Sequence, residues 1–137
     1  MGQLEAARLL VGKARQDEYV LERLAGDPQV ADEAFGFHAQ QAAEKLLKAA
    51  LAAAAVVYPR THRLGELIDL GRDRGLAVPD EFDELHRLTP FAVEYRYEFF
   101  SEEVEKPLDR QAVRDEVRRL RTWVEGLMAA REEAERG

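Results

Sequence analysis

A chain of 137 residues with 46% hydrophobic content fits one domain that buries its own core without a metal or a disulfide. The absence of cysteine excludes a disulfide framework, a thiol nucleophile and a zinc-thiolate site. Twenty Lys and Arg against 27 Asp and Glu give a formal net charge of -7, which argues against nucleic-acid binding through bulk electrostatics, so any RNA contact is expected to be local.

The N-terminus, Met1-Gly2-Gln3-Leu4-Glu5, lacks the basic-then-apolar run of a signal peptide, and the longest apolar stretch, Ala49 to Tyr58, is too short to span a bilayer. A soluble, cytoplasmic protein with no membrane contact is expected. From Gln3 to Ala25, the residues Leu4, Ala7, Val11, Ala14, Leu21 and Ala25 share one helical face, with Glu18 in the one polar slot of the stripe. Gly26-Asp27-Pro28 ends that helix. Asp27 suits an N-cap with Pro28 at the first helical position, so the second helix begins either there or at Phe35.

The stretch from Phe35 to Val57 organises the rest. Phe35, Ala39, Ala42, Leu46, Ala49, Ala53 and Val56 alternate spacings of four and three, which predicts a central helix buried along its length. Ala42, Ala43, Ala49, Ala50, Ala53 and Ala54 let neighbouring helices approach closely. His38, Gln41, Lys45 and Lys48 line one edge beside that stripe, and Glu44 precedes Lys48 by four residues, the order of a small surface pair.

Tyr58-Pro59-Arg60-Thr61 breaks the central helix, with Thr61 as cap of a short helix from His62 to about Arg74. Leu64, Leu67, Ile68 and Leu70 supply its buried side and Gly75 its stop. Asp80 to Leu88 reads as a further helix, kinked or broken at Thr89-Pro90. Phe91, Tyr95 and Phe99 then repeat at four-residue intervals, with Arg96 and Phe100 on the neighbouring face, and Ser101 to Pro107 forms an acidic connector. Val113, Val117, Leu120, Val124 and Leu127 predict a long amphipathic helix from about Leu108 to Glu135. No segment alternates with period two. The expected fold is therefore all-α, an antiparallel up-and-down bundle of four to five helices in a single domain spanning residues 1–137.

Among polar residues, His38 reads first as a helix histidine bonded to a neighbouring helix, and with Gln41 as a reader of a base or adenine-like ligand. His62 packs beside the cap or helps a helix N-terminus hold an anion. Arg96 sits among aromatic residues on which a guanidinium can stack while offering its fork to a phosphate, a carboxylate or a facing acid. Asp83-Glu84-Leu85-His86 has one carboxylate-histidine spacing of di-iron bundles without the second, so no metal and no cofactor are expected. Arg114, Arg118, Arg119 and Arg121 read as a solvated face, and second as a partner surface.

Phe37-His38-Ala39-Gln40-Gln41-Ala42-Ala43-Glu44-Lys45, Thr61-His62-Arg63-Leu64 and Tyr95-Arg96-Tyr97, in this order, make the chain resemble the HEPN domains over nearly its whole length. The resemblance implies a helical bundle that usually dimerises, often encoded beside a minimal nucleotidyltransferase with which it forms a toxin–antitoxin pair. Other members are metal-independent ribonucleases in which an Arg is followed after four to six residues by a His for proton transfer. Arg96 matches the arginine, but Ser101, Glu102 and Glu103 occupy the positions of the histidine, and neither serine nor carboxylate suits that role beside a phosphate. The leading expectation is a binding module: a homodimer or higher homo-oligomer that partners a nucleotidyltransferase or holds a nucleotide or RNA without cutting it. Its contact residues are Arg96, Tyr95, Tyr97, His38, Gln41, Lys45 and His62. A ribonuclease using Arg96 with His38, His62 or another acid–base partner, and a purely structural oligomer, are the alternatives.

Overall fold

The computed structural model describes residues 2–92 and 107–137. Among them all regular structure is helical: α1 (Gln3–Leu24), α2 (Asp32–Ala53), α3 (Leu64–Asp73), a 3₁₀ helix (Asp80–Phe91) and α4 (Arg110–Arg136). The all-α bundle expected from periodicity is the fold observed.

On α1 the buried line is Leu4, Ala7, Val11, Ala14, Asp17 and Leu21. The polar slot therefore belongs to Asp17 and not to Glu18. Ala14 is followed by a step of three rather than four, and Glu18 turns toward α4, where its carboxylate meets Arg121 at 2.8 Å. α2 begins at Asp32, between the two starts that the sequence offered. The Asp27 carboxylate instead accepts from the Gln29 N–H at 2.9 Å, which fixes the turn before the helix rather than capping it.

Phe35, Ala39, Ala42, Leu46, Ala49 and Ala53 are all buried in α2, and α2 packs against every other described element. It is the central helix. It ends at Ala53, four residues earlier than the alanine-valine run suggested, because Ala55 turns into the left-handed region at φ 61°. Val56 N–H then bonds to Leu51 O at 2.9 Å and Ala55 N–H to Ala52 O at 3.0 Å. This is a Schellman ending built on alanine where glycine is the usual residue. Gly75, at φ 87°, closes α3 in the same way, as its sequence position predicted.

α3 starts at Leu64 and not at His62, with Leu64, Leu67, Ile68 and Gly71 buried. Thr61 is not its cap: the Thr61 hydroxyl accepts from Arg63 N–H at 3.1 Å, while Leu64 N–H donates to Thr89 Oγ1 at 3.2 Å, a partner 25 residues away. The following helix is a 3₁₀ helix whose buried residues Phe82, Leu85, Leu88 and Phe91 repeat every three residues; it takes in Pro90 and ends one residue later at Phe91, with Ala92 extended, so the break expected at Thr89-Pro90 falls just beyond the proline. Phe91 seats on Gly36, where a methyl group would fall 2.2 Å from its ring. The aromatic repeat at Tyr95 and Phe99, with Arg96, Tyr97, Phe100 and the acidic residues 101–106, lies outside the described residues.

Asp109 caps α4 by accepting from Ala112 N–H at 3.0 Å. α4 runs antiparallel to α1, shown by the pairs Arg8–Glu132, Arg15–Glu125 and Glu18–Arg121. It starts at the same end as α2, since Leu108 N–H and the Arg110 guanidinium both bond to Asp32. The two shorter helices return the chain to that end. Arg110 also donates to the carbonyls of Leu24, Asp27 and Val30 and lies over the Phe35 ring, 5.3 Å from its centroid.

Candidate functional site

The polar edge of α2 is organised by two buried carboxylates. Asp17, 8% exposed on α1, takes two partners from α2: His38 Nδ1 lies 3.1 Å from Oδ1, and Lys45 Nζ donates to Oδ2. His38 and Lys45 are seven residues apart, two helical turns, so one carboxylate between them satisfies both. The Phe37 ring packs edge-on to the imidazole at 5.2 Å. With Nδ1 on Asp17, the Nε2 of His38 lies on the far side of a ring that is 32% exposed.

Glu44, 7% exposed, is the second centre. Its Oε1 lies 2.7 Å from His62 Nδ1 and accepts from Gln40 Nε2 at 2.9 Å, and its Oε2 accepts from Lys48 Nζ at 2.9 Å. Gln40, fully buried, also donates to His62 O at 3.2 Å and accepts from Gln41 Nε2 at 2.8 Å. The Glu44–Lys48 pair is thus not a surface pair. Its lysine side chain is only 16% exposed and lies over the Tyr58 ring, 5.7 Å from its centroid. Burial raises the Glu44 carboxyl, and the hydrogen bonds from His62, Lys48 and Gln40 outweigh it, so the group ends below the ordinary carboxylate value.

Of the residues singled out from sequence, His38 and Lys45 are brought together on Asp17, and Gln41 and His62 are joined through Gln40. Arg96, Tyr95 and Tyr97 lie outside the described residues. Sequence reasoning missed Asp17 and Gln40 as site residues and misjudged Glu44. A signal existed for Gln40, which falls on the buried line Gly36, Gln40, Ala43, Leu47 at spacings of four, three and four.

Elsewhere the polar residues hold the frame together. The Asp83 carboxylate pairs with Arg72 at 2.6 Å, while His86 Nδ1 faces the Asp83 carbonyl at 2.7 Å, so the two side chains serve different partners. Among the described residues no group of three histidine or carboxylate side chains is placed to hold a metal ion, and no helix is long and apolar enough to cross a membrane. On α4, Arg118 pairs with Asp115 and Arg119 with Glu81 at exposed sites. Arg121 departs from the solvated-face expectation: it is 21% exposed and bridges Glu18 and Glu125. Burial pushes the Glu18 carboxyl above its ordinary value against the attraction of Arg121.

The family model for the HEPN domain matches residues 8–127. No curated protein and no solved structure matches the chain.

Proposed function

This chain belongs to the HEPN domain family, and from that premise we propose that it is a non-cleaving binding module, a homo-oligomer that works with a separate nucleotidyltransferase in a toxin–antitoxin type of pair. The observation that carries this reading is the occupation of the histidine positions after Arg96 by Ser101, Glu102 and Glu103. Without a histidine there, the role proposed for Arg96 is recognition, its guanidinium fork offered to a phosphate or a carboxylate. The α2 edge supports the same reading. His38 and Lys45 are held by Asp17 of the neighbouring helix, Gln41 by Gln40 of its own helix and His62 by Glu44, which suits a rigid contact surface.

The test is a cleavage assay on mixed structured and single-stranded RNA in the presence of chelator, run on the protein and on Arg96→Ala. Neither should cleave. In a titration with a minimal nucleotidyltransferase, or with RNA or nucleotide, Arg96→Ala should weaken binding by about 1–3 kcal/mol with unchanged helicity. Unchanged affinity would count against the reading.

One observation favours a second reading, an endoribonuclease. His38 carries a buried carboxylate on Nδ1, the arrangement that orients a histidine for proton transfer through Nε2. Cleavage that disappears in both Arg96→Ala and His38→Ala would replace the first reading with this one.

A further inference from the structure

The outward face of α1 carries a second stripe, opposite the buried one. Glu5, Leu9, Gly12, Gln16, Tyr19 and Arg23 alternate spacings of four and three, and all six are exposed. Leu9 and Tyr19 are each 52% exposed, two of the three large apolar side chains open to solvent among the described residues. A groove of about 520 Å³ runs beside Leu9, Gly12 and Gln16. Gly12 lies mid-helix, where glycine is the poorest residue but proline, and nothing in its own fold comes within 4 Å of where a Cβ would stand. The packing of the single chain therefore does not require this glycine.

The ends of the stripe carry opposite charges. Neither Glu5 nor Arg23 has an ion pair among the described residues. Arg23 is held ready by its own chain, donating to the Tyr19 hydroxyl from Nε at 3.0 Å and from Nη2 at 2.7 Å, with its guanidinium 5.1 Å from the ring centroid.

We propose that this face is the seat of a second copy of the chain, with the two α1 helices antiparallel and related by a two-fold axis at the level of Ala14. That register places Glu5 against the other copy's Arg23, Leu9 against its Tyr19 and Gly12 against its Gln16, each layer occurring twice by symmetry. Charges complement at both ends, the apolar residues meet each other, and the glycine leaves room for the long amide. α1 has 22 residues, so the seam is about 33 Å long. On the flanks Lys13 faces the other copy's Arg15, whose charge is already met by Glu125 at 2.9 Å. This assigns a surface to the self-association in the proposed function, and rests on that part of it alone.

Sedimentation of the purified chain, with no RNA, nucleotide or partner present, tests it separately from any binding role. The wild type should dimerise. Glu5→Arg and Arg23→Glu should each weaken the dimer tenfold or more with helicity unchanged, and the double swap should restore it. Because the chain has no cysteine, an oxidised mixture of Gly12→Cys and Gln16→Cys copies should form the mixed disulfide in preference to either pure one. A monomer at all concentrations, a dimer indifferent to both charge reversals, or a dimer without the mixed disulfide would each overturn the proposal.

Discussion

Asp17 and Glu44 are buried to the same extent and hold the same kinds of partner, one lysine and one histidine each, yet they join different parts of the molecule. Asp17 stands on α1 and draws both partners from α2, so it fastens two helices to each other. Glu44 stands on α2, takes Lys48 and Gln40 from its own helix, and reaches out only to His62, so it fastens the connection leading into α3. A buried carboxylate is thus informative through where its partners come from, and the composition of the cluster alone does not reveal it.

The harshest way to break the comparison is to bury a carboxylate on α2 with no partner at all. Leu46 is fully buried, and Leu46→Asp should cost about 4 kcal/mol or more and abolish the cooperative thermal transition. A normal melting temperature would show that an unpartnered carboxylate is tolerated there.

Removing the existing centres should separate them. Asp17→Ala leaves Lys45 and His38 without their acceptor and should destabilise by about 2–3 kcal/mol, with faster amide exchange along α1; Glu44→Gln should cost about 1–2 kcal/mol, with faster exchange confined to residues 54–63. Identical exchange patterns in the two variants would remove the distinction.

Acid sharpens it further. Glu44 has its carboxyl lowered in the fold, so its network contributes fully above the ordinary carboxylate value and is lost as the pH falls through the lowered one. Glu18, raised by burial, acts in the opposite sense: the fold is favoured while it is protonated, and that contribution fades as the pH rises through the raised value. Urea denaturation from about pH 7 to about pH 3 should show the difference between wild type and Glu44→Gln shrinking toward the acid end. A difference independent of pH would mean that the Glu44 charge contributes nothing.

The smallest effect concerns the same connection by another route. Ala55→Gly relieves the left-handed backbone at φ 61° and should stabilise by about 0.5–1 kcal/mol without touching Glu44. An unchanged or lower urea midpoint would show that the alanine sits there without strain.

These contrasts also mark what was legible in the sequence. The apolar line of α2 could be read directly, because Phe35, Ala39, Ala42, Leu46, Ala49 and Ala53 keep the spacings of four and three with no polar residue interrupting them. Asp17 could not, since Asp17 and Glu18 both fit the stripe after Ala14 and only the positions of α2 and α4 decide between them. Glu44 resembled half of a surface pair because Lys48 is a neighbour in sequence, whereas the partner that helps cover it, His62, is 18 residues away. The three-residue repeat of Phe82, Leu85, Leu88 and Phe91 was present in the sequence, but it had not been distinguished from an ordinary helix, and the proline placed the end of the 3₁₀ helix to within two residues.

Arg110 carries a consequence for the order of assembly. Its acceptors, the carbonyls of Leu24, Asp27 and Val30 and the carboxylate of Asp32, all belong to the end of α1, the following turn and the start of α2, and they converge only once that hairpin has closed. The α1–α2 hairpin is local in sequence, whereas the Arg110 contacts close loops of 78 to 86 residues, so their entropy cost falls late. Arg110→Ala should therefore speed unfolding in stopped-flow experiments while leaving the refolding rate nearly unchanged, and slower refolding would place the docking of α4 in the nucleus instead.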